Sequence, residues 1–265
     1  MRNVGLKRME ILDRRSFCMR SKKQQAGGKL NCSVFVNTCD RFSFIWPGWD
    51  FFHQKYWNKD IPWKVYFGTE EKSVDFQNVI NLKIGKLPWG EYVHKAMSMI
   101  PTDNVFFTME NHFPIKRLDI DFLENVYNYF IDNDMDRLGL MDKHHYLHEP
   151  IKHIETDIGD FHKQTNKSGY LSCLQPSFWK KDFLCSIIKK DFTPYDGEIS
   201  GTEIARKKED VNIGYFLEEW YLEALVDGVP RDYNYDFENW KKLTTEHGWE
   251  GMANVEFTRR SNRDR

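Results

Sequence analysis

Short apolar runs separated by amphipathic stretches constrain the fold of this chain more than any other feature of its sequence. Residues 33–37, 63–67 and 105–109 are rich in valine and aromatic residues and are bounded by polar residues. Such runs are typical of strands that are buried on both faces, and residues 79–82 and 137–141 have a similar character. Because helical patterns lie between these runs, we predict an α/β domain with a mostly parallel central sheet flanked by helices.

The spacing of apolar residues predicts the helices of the N-terminal half. A stripe at i, i+3, i+4 and i+7 indicates a helix over residues 93–100. A second helix is predicted over about residues 121–131, where Asp121 and Glu124 have the spacing of a capping box. The aromatic segment within residues 42–57 is expected to be partly helical.

The C-terminal half is predicted with the same criteria. Residues 170–173 resemble a strand that leads into a helix with Pro176 in its first turn. A last helix is predicted over about residues 213–226, where large apolar residues recur at helical spacing.

Charge is distributed unevenly along the chain, although the 265 residues carry a formal net charge of only −2. Residues 1–30 hold nine basic and two acidic residues, a net of +7, so the remainder carries −9. A basic arm of this kind can contact anionic lipid or nucleic acid, and a solvated tail is the alternative. Because the acidic remainder has no basic stripe, we expect no nucleic-acid partner. We predict a basic arm at residues 1–30, a domain at 31–228 and a C-terminal extension at 229–265.

Composition and targeting signals indicate the compartment. A content of 40% hydrophobic and 15% aromatic residues excludes disorder for most of the chain. No apolar run reaches the roughly 18 residues that a membrane span requires, and the N-terminus lacks the apolar stretch of a signal peptide. The five cysteines are odd in number and form no CxxC, which favours a reducing compartment. We therefore expect a cytoplasmic protein, and peripheral membrane contact would come from the basic arm.

Polar residues that suit a nucleotide follow the first two predicted strands. Thr38, Asp40 and Arg41 come after the first strand, and Glu70 comes after the second. Ligands of parallel sheets bind outside the carboxyl ends of the strands. A hydroxyl, a carboxylate and a guanidinium there suit a base, a ribose and a phosphate. An ordinary turn in which Asp40 caps the next segment is the alternative.

Three potential ligands follow the fourth predicted strand in a row, namely Glu110, Asn111 and His112. A carboxylate and an amide oxygen are hard donors that suit Mg²⁺ or Mn²⁺, with a diphosphate completing the coordination. On spacing alone, a polar loop that binds no metal is the alternative.

A further group of carboxylates lies in residues 194–203, which we predict to be a loop before a helix. Asp196 or Glu198 can act there as a general base on a hydroxyl group, and Tyr195 offers an aromatic face to a sugar ring. Helix capping by Ser200, Thr202 or Glu203 is the alternative explanation.

Other catalytic classes find little support in the sequence. His144 and His148 have the i, i+4 spacing of a zinc pair, but HExxH and a cysteine partner are absent, so we expect loop histidines instead. The sequence contains no Walker loop, no GxGxxG and no GxSxG. ATPase, Rossmann dehydrogenase and α/β-hydrolase functions thereby lose their main support.

Several motifs follow one another in a recognisable order. They are Val-Asn-Thr-Cys-Asp-Arg at 36–41, Phe-Ser-Phe-Ile-Trp-Pro-Gly at 42–48, Val-Tyr-Phe-Gly-Thr-Glu at 65–70, Gln-Pro-Ser-Phe-Trp-Lys-Lys-Asp-Phe-Leu at 175–184 and Pro-Tyr-Asp-Gly-Glu at 194–198. Over about residues 31–228 this order resembles bacterial and viral glycosyltransferases of the GT-A fold, which build lipopolysaccharide, capsule or viral glycans. The resemblance implies a nucleoside-diphosphate-sugar donor and a glycan or lipid-linked acceptor.

The resemblance also implies roles for residues on the donor side. Thr38, Asp40 and Arg41 would line the nucleotide pocket, and Glu70 would lie near the base or ribose. Lys95 would lie on the helix that flanks the donor.

Glu110 and Asn111 occupy the position at which this family holds metal and sugar diphosphate with a pair of acidic residues. One carboxylate in place of two leaves three alternatives: weaker binding of Mn²⁺ or Mg²⁺, substitution by His112, or an enzyme that needs no metal. Asp196 and Glu198 match the positions of an acceptor-side base, which implies inverting transfer. The base would deprotonate an acceptor hydroxyl, which attacks the anomeric carbon opposite the leaving nucleoside diphosphate.

Two other functions remain open at this point. A protein of the same fold that binds a sugar or nucleotide without turnover is compatible with the Glu-Asn pair. A nucleotidyltransferase would need a glycine-rich loop with a basic residue after the first strand, whereas residues 37–43 contain neither glycine nor lysine.

Overall fold

The computed structural model describes residues 31–141, 151–218, 220–223, 246 and 248. In chain order the helices and strands are β1 (Cys32–Asn37), α1 (Trp46–Tyr56), β2 (Lys64–Thr69), β3 (Val79–Lys83), α2 (Trp89–Met99), β4 (Asn104–Met109), β5 (His112–Pro114), α3 (Ile120–Asp132), β6 (Arg137–Met141), β7 (Ile151–Thr156), β8 (Gly159–Gln164), β9 (Ser177–Lys180), α4 (Lys181–Ile187), α5 (Pro194–Arg206), β10 (Ile213–Leu217) and β11 (Tyr221–Glu223).

Within the described residues, nine strands form one sheet in the order β3-β2-β1-β4-β9-β6-β10-β8-β7. Strands β3, β2, β1 and β4 are parallel neighbours, as are β6 and β10. Strand β9 runs antiparallel between β4 and β6, and β8 runs antiparallel between β10 and β7. Strands β5 and β11 pair in a separate small sheet. The predicted α/β fold with a mostly parallel sheet flanked by helices is confirmed.

Successive side chains of the central strands point to opposite faces of the sheet, so a hydrophobic core forms on each face. Val34 and Val36 of β1 pack with α1 and α3, whereas Phe35 between them packs with α2 and α4. Phe35 and Val36 are fully buried. Burying a side chain of this kind stabilises the fold by about 1.5–3 kcal/mol. Because both faces are covered, the strands read as continuous apolar runs, which is why the sequence identified them.

The helix predicted over residues 213–226 is wrong. Ile213–Leu217 forms β10 in the large sheet, and Tyr221–Glu223 forms β11 against β5. A short apolar run does not distinguish a buried strand from a helix by periodicity alone. Gly214 was the sequence feature that could have indicated a strand, because any side chain there would collide with the Phe161 ring on β8.

Three smaller predictions also differ from the structure. Pro176 does not open a helix, because Ser177–Lys180 forms β9 and the helix begins at Lys181. The segment 170–173, predicted as a strand, contains no strand. Helix α3 is capped by Asp119, whose side chain accepts the N–H groups of residues 121 and 122, rather than by Asp121.

Several sequence predictions lie outside the described residues. They include the basic arm at 1–30, the histidines at 144, 145 and 148, and residues 229–265 apart from 246 and 248. The domain boundaries at 30 and 228 therefore stay predictions. In the described part of the chain, no helix combines the length and apolar character needed to cross a membrane.

Candidate functional site

A change in the direction of strand order places the candidate site between β1 and β4. Strand β2 pairs with one side of β1, and β4, which follows later in the chain, pairs with the other side. The last residues of the two strands, Asn37 and Met109, lie in register. Open α/β sheets bind ligands outside the carboxyl ends of the strands at such a switch point. The polar residues that follow β1, β2 and β4 form what we call the switch-point site.

Asp40 and Glu70 join the loops that follow β1 and β2. The Asp40 carboxylate accepts the backbone N–H groups of Glu70, Glu71 and Lys72 at 3.1, 2.9 and 2.9 Å. Glu70 Oε2 accepts the backbone N–H of Asp40 at 3.0 Å. Burial raises the pKa of Asp40, but the three donors outweigh it and hold this pKa below its ordinary value. Asp40 thus caps the loop that follows β2. Its contact with a nucleotide stays a prediction.

Thr38 is buried, whereas two basic side chains near it, those of Arg41 and Lys72, are exposed. Thr38 is buried, and its hydroxyl oxygen accepts the indole N–H of Trp46 at 2.8 Å. Arg41 is exposed, with its guanidinium 5.5 Å from the centre of the Phe42 ring. Lys72 is also exposed and donates to the carbonyl oxygen of Asp40 at 3.3 Å. The rim of the site therefore carries two solvent-accessible positive charges.

Glu110 is a buried carboxyl group at the end of β4. It is 3% exposed, and its backbone N–H donates to the Asn37 carbonyl oxygen at 3.4 Å. Burial raises its pKa to about 8, although hydrogen bonds from its own backbone and from the Thr38 side chain oppose the rise. Among the described residues, neither Glu110 Oε2 nor Asn37 Oδ1 has a hydrogen-bond partner. Because unpaired buried oxygens are costly, this position suits a ligand that brings a hydroxyl donor or a cation.

The His112 ring is directed to its own chain segment. Its Nδ1 accepts the backbone N–H of Met109 at 3.2 Å and lies 3.2 Å from Thr108 Oγ1. Burial lowers its pKa to about 3, so the ring is neutral. The Tyr221 ring packs against it edge-on, with ring centres 4.9 Å apart. Nδ1 is therefore occupied, and Nε2 is the nitrogen that His112 could offer to a metal.

The three predicted metal ligands differ in how well they suit a cation. In the described ranges, no three His, Cys, Asp or Glu side chains are grouped so that they could hold a metal ion. Of the predicted ligands Glu110, Asn111 and His112, Glu110 fits a cation best, because its Oε2 is a carboxyl oxygen without a protein partner. Mn²⁺ or Mg²⁺ as cofactor stays a prediction.

Tyr92 and Gly68 are residues of this region that the sequence analysis missed. Tyr92 of α2 is 3% exposed, and its hydroxyl packs so closely on Gly68 that any side chain there would collide with it. Burial, followed by the charges of Glu110 and Cys39, raises the pKa of Tyr92. The Tyr92 ring therefore ends close to the switch-point site. A glycine inside a buried strand was the signal for this approach.

Lys95 lies six residues after Trp89, the first residue of α2. Its Nζ donates to the carbonyl oxygen of Ile84 at 2.7 Å, which ties the helix to the segment after β3. The side chain is exposed on the helix that the resemblance places beside the donor. Contact between Lys95 and a donor stays a prediction.

The predicted acceptor-side carboxylates lie in helix α5 and not in a loop. Asp196 accepts the N–H and hydroxyl of Thr193 at 3.0 and 2.6 Å, in a complete capping box. Hydrogen bonds from the Thr193 side chain and backbone lower the pKa of Asp196. Glu198 accepts the N–H of Leu174 at 3.0 Å. Capping does occur here, but Thr193 is the N-cap and Asp196 its capping-box partner, so the predicted capping by Ser200, Thr202 or Glu203, which lie inside α5, is wrong. The catalytic role of both carboxylates stays a prediction.

Close packing brings the start of α5 to the start of α2. Gly197 lies against the Trp89 ring, and Gly90 lies against the Lys189 carbonyl, where side chains would collide. The N–H groups of Gly90 and Glu91 donate to the carbonyl oxygens of Phe192 and Lys190, both at 2.9 Å. The loop before α5 thus caps α2. Asp196 and Glu198 consequently lie at the edge of the sheet that carries the switch-point site.

Comparison with known proteins finds no matching family model and no matching curated protein. Among solved structures, the chain is similar to S. aureus TarS, with 15% identity and a TM-score of 0.46 over 86% of this chain and 40% of that chain. TarS 1–349 in complex with UDP-GlcNAc aligns with 11% identity and a TM-score of 0.44 over 86% of this chain and 68% of that one. The bifunctional IspDF from Campylobacter jejuni aligns with 16% identity and a TM-score of 0.37 over 71% of this chain and 50% of that one. The chain thus spans about two fifths of the first TarS chain.

Proposed function

We propose that this chain is a glycosyltransferase that binds a nucleoside-diphosphate sugar at the switch-point site. The observation that carries the proposal is the buried Glu110 carboxyl group, whose Oε2 has no protein partner at the ligand-binding edge of the sheet. The order of motifs that resembles GT-A glycosyltransferases leads to the same function. The proposed partners are the donor and a glycan or lipid-linked acceptor, and contact of the basic arm with a membrane belongs to the same proposal.

The proposed chemistry is the separation of a diphosphate from a sugar. Thr38 and Glu70 lie where they can contact the nucleoside, and Arg41 and Lys72 offer positive charge to the phosphates. A divalent cation held by Glu110 and Asn111 would offset the charge of the leaving diphosphate. Inverting transfer requires a base on the acceptor, and Asp196 or Glu198 is the proposed group.

The contacts of α5 favour a second candidate, a protein of the same fold that binds a sugar or nucleotide without turnover. Asp196 accepts two hydrogen bonds from Thr193, and Glu198 accepts one from Leu174. Both carboxylates therefore contribute to the local fold. The depressed pKa of Asp196 also makes it a weak base.

A thermal-shift experiment with UDP, GDP, CDP and dTDP, each with and without Mn²⁺, tests the binding part of the proposal. A ligand that binds only the folded state at 100 times its Kd stabilises by about 2.7 kcal/mol, or roughly 5–10 °C for a domain of this size. We expect one diphosphate to produce such a shift in the natural protein and in Glu209→Ala. Glu209 is an exposed carboxylate before β10, at the opposite edge of the sheet. The shift should be lost in Glu110→Ala, and its absence with all four diphosphates would contradict the proposal.

Turnover separates the two candidates. With the stabilising nucleotide in hand, the release of free nucleoside diphosphate from the corresponding donor sugars is measured with and without glycan acceptors. For a transferase we expect release that Asp196→Asn or Glu198→Gln slows by about 10²-fold or more. If the nucleotide binds equally well in both variants and no nucleoside diphosphate is released, the result supports the protein that binds without turnover.

A further inference from the structure

A cavity lies at the edge of the sheet opposite to the switch-point site. It has a volume of about 280 Å³ and is formed where α1 ends and β2 and β3 begin. We call it the amino-edge cavity, and its lining residues are His53, Gln54, Trp57, Lys59, Ile61, Trp63, Val65 and Asn78. The proposed donor site uses none of these residues. The volume suits a ligand about the size of one ring.

Aromatic rings form one part of the amino-edge cavity. The buried His53 ring stacks between Trp49 and Trp57, with ring centres 4.5 and 5.4 Å apart and planes inclined by 13° and 23°. Burial lowers the pKa of His53 to about 4, so the ring is uncharged at neutral pH. Trp57 is half-buried at the C-terminal end of α1. The cavity therefore presents a rigid, uncharged aromatic surface.

Trp63 adds a hydrogen-bond donor to the lining of the cavity. Its side chain is 4% exposed, and in the part of the chain that the structure describes Nε1 has no hydrogen-bond partner. The ring is fixed by Tyr127 and Phe178, with ring centres 5.5 and 5.4 Å away. An indole N–H can only donate, so it requires an acceptor oxygen. Because Trp63 is one of the residues that line the amino-edge cavity, a ligand bound there is the candidate source of this oxygen.

The remaining polar groups indicate which ligand fits. Gln54 uses its amide nitrogen for Asp50 Oδ1 and for the Gln77 carbonyl oxygen, at 3.1 and 2.8 Å. Its carbonyl oxygen is therefore the group that it can offer to a hydroxyl donor. Lys59 is exposed, and none of the described residues that line the cavity is a carboxylate. A ligand with an apolar face, hydroxyl groups and no positive charge fits this set, and these are the properties of a sugar ring.

We propose that the amino-edge cavity binds one sugar ring of a glycan. If the chain is the glycosyltransferase proposed above, on which this role depends, the cavity holds a distal unit of the acceptor while another unit reaches the donor. A sugar in the cavity would contact the face of Trp57, accept the Trp63 N–H and donate to Gln54. In this arrangement the C–H groups of the sugar pack on the aromatic ring, and its hydroxyl groups form the hydrogen bonds.

The indole N–H resonance of Trp63 tests the proposal directly. The ¹⁵N-labelled full chain is titrated with glucose, galactose, mannose, N-acetylglucosamine and glucuronate, and ¹H–¹⁵N spectra follow the nine tryptophans. Trp179 is the matched control, since its Nε1 is also buried without a partner but it does not line the cavity. Trp63→Phe and Trp179→Phe assign the two signals. We expect at least one sugar to shift the Trp63 signal saturably while the Trp179 signal stays in place.

Substitutions in the cavity separate this proposal from the donor site. Trp57→Ala and Gln54→Ala should each weaken sugar binding at least tenfold, while the thermal shift with the nucleoside diphosphate is retained. A Trp63 signal that no sugar moves, or that moves equally in Trp57→Ala, would overturn the cavity proposal. A Trp63 shift without any nucleotide effect would leave the cavity as a glycan site and contradict the transferase instead.

Discussion

At the scale of single residues, Glu110 dominates the electrostatics of the switch-point site. Its carboxyl group is buried beside the Thr38 side chain, and burial raises its pKa from 4.5 to about 8. The unfolded chain loses this proton near pH 4.5, whereas the folded protein keeps it up to about pH 8. The folded state thus binds more protons in this window, so the contribution of Glu110 to stability falls as the pH rises from 4.5 to 8.

This linkage predicts a pH-dependent difference between the natural protein and Glu110→Gln. Glutamine cannot ionise, so the variant should gain stability relative to the natural protein as the pH rises, by at most about 1.4 kcal/mol per pH unit. Urea unfolding at several pH values between 5 and 8 measures the difference. Glu209→Gln serves as the control and should follow the natural protein. Parallel curves for Glu110→Gln and the natural protein would mean that Glu110 ionises normally.

Asp40 supports a second prediction at this scale. Its carboxylate accepts three backbone N–H groups of the β2 loop, and an asparagine there offers one oxygen instead of two. We expect Asp40→Asn to lower the free energy of unfolding by about 1–3 kcal/mol at pH 7, measured with urea. Because the folded pKa lies below 3.8, the contribution is present above that pH and is lost as the pH falls further. Asp75→Asn, an exposed carboxylate of the same loop, should change stability little, and an equal loss in both would contradict the role of Asp40.

At the scale of elements, the sequence predicted the parallel half of the sheet, and two of its failures differ in character. Strands β1, β2 and β4 are buried on both faces, so their apolar runs were unambiguous. The run at 213–217 has the same composition, but the aromatic residues after it produced a helical period, and its pairing with β6 and β8 is a long-range contact. Asp196 was assigned to a loop before a helix, whereas it lies in the first turn of α5, and Gly197 beside it makes room for the Trp89 ring.

The cap that joins α2 to the loop before α5 gives a prediction for a single element. A methyl group at Gly90 would collide with the Lys189 carbonyl oxygen and separate the helix from the loop that caps it. We expect Gly90→Ala to destabilise the protein by about 1–3 kcal/mol through overpacking, despite the higher helix propensity of alanine. Met99→Ala at the exposed end of the same helix is the control and should be nearly neutral. A Gly90→Ala variant as stable as the control would show that this contact yields without cost.

At the scale of the whole molecule, the two edges of the sheet have different proposed tasks. The carboxyl edge carries Glu110 and the start of α5, and the amino edge carries the cavity around Trp57 and Trp63. The sequence identified the first edge, because residues that follow buried strands can be located from the strands alone. It gave no indication of the second, because the cavity combines residues from α1 and from the segments before β2 and β3, which only the folded chain brings together.

The position of the nucleotide is the central claim, and the alkylation rate of Cys39 tests it most directly. Cys39 is a half-buried thiol between Thr38 and Asp40, and burial, followed by the Glu110 charge, raises its pKa to about 11. Cys185 on α4 is equally half-buried but lies away from the strand ends, so it is the control within the same molecule. Alkylation of both is followed by peptide mass spectrometry with and without the stabilising nucleoside diphosphate. We predict that the nucleotide slows alkylation at Cys39 at least severalfold and leaves Cys185 unchanged, whereas equal rates at Cys39 with and without nucleotide would contradict a nucleotide site at the end of β1.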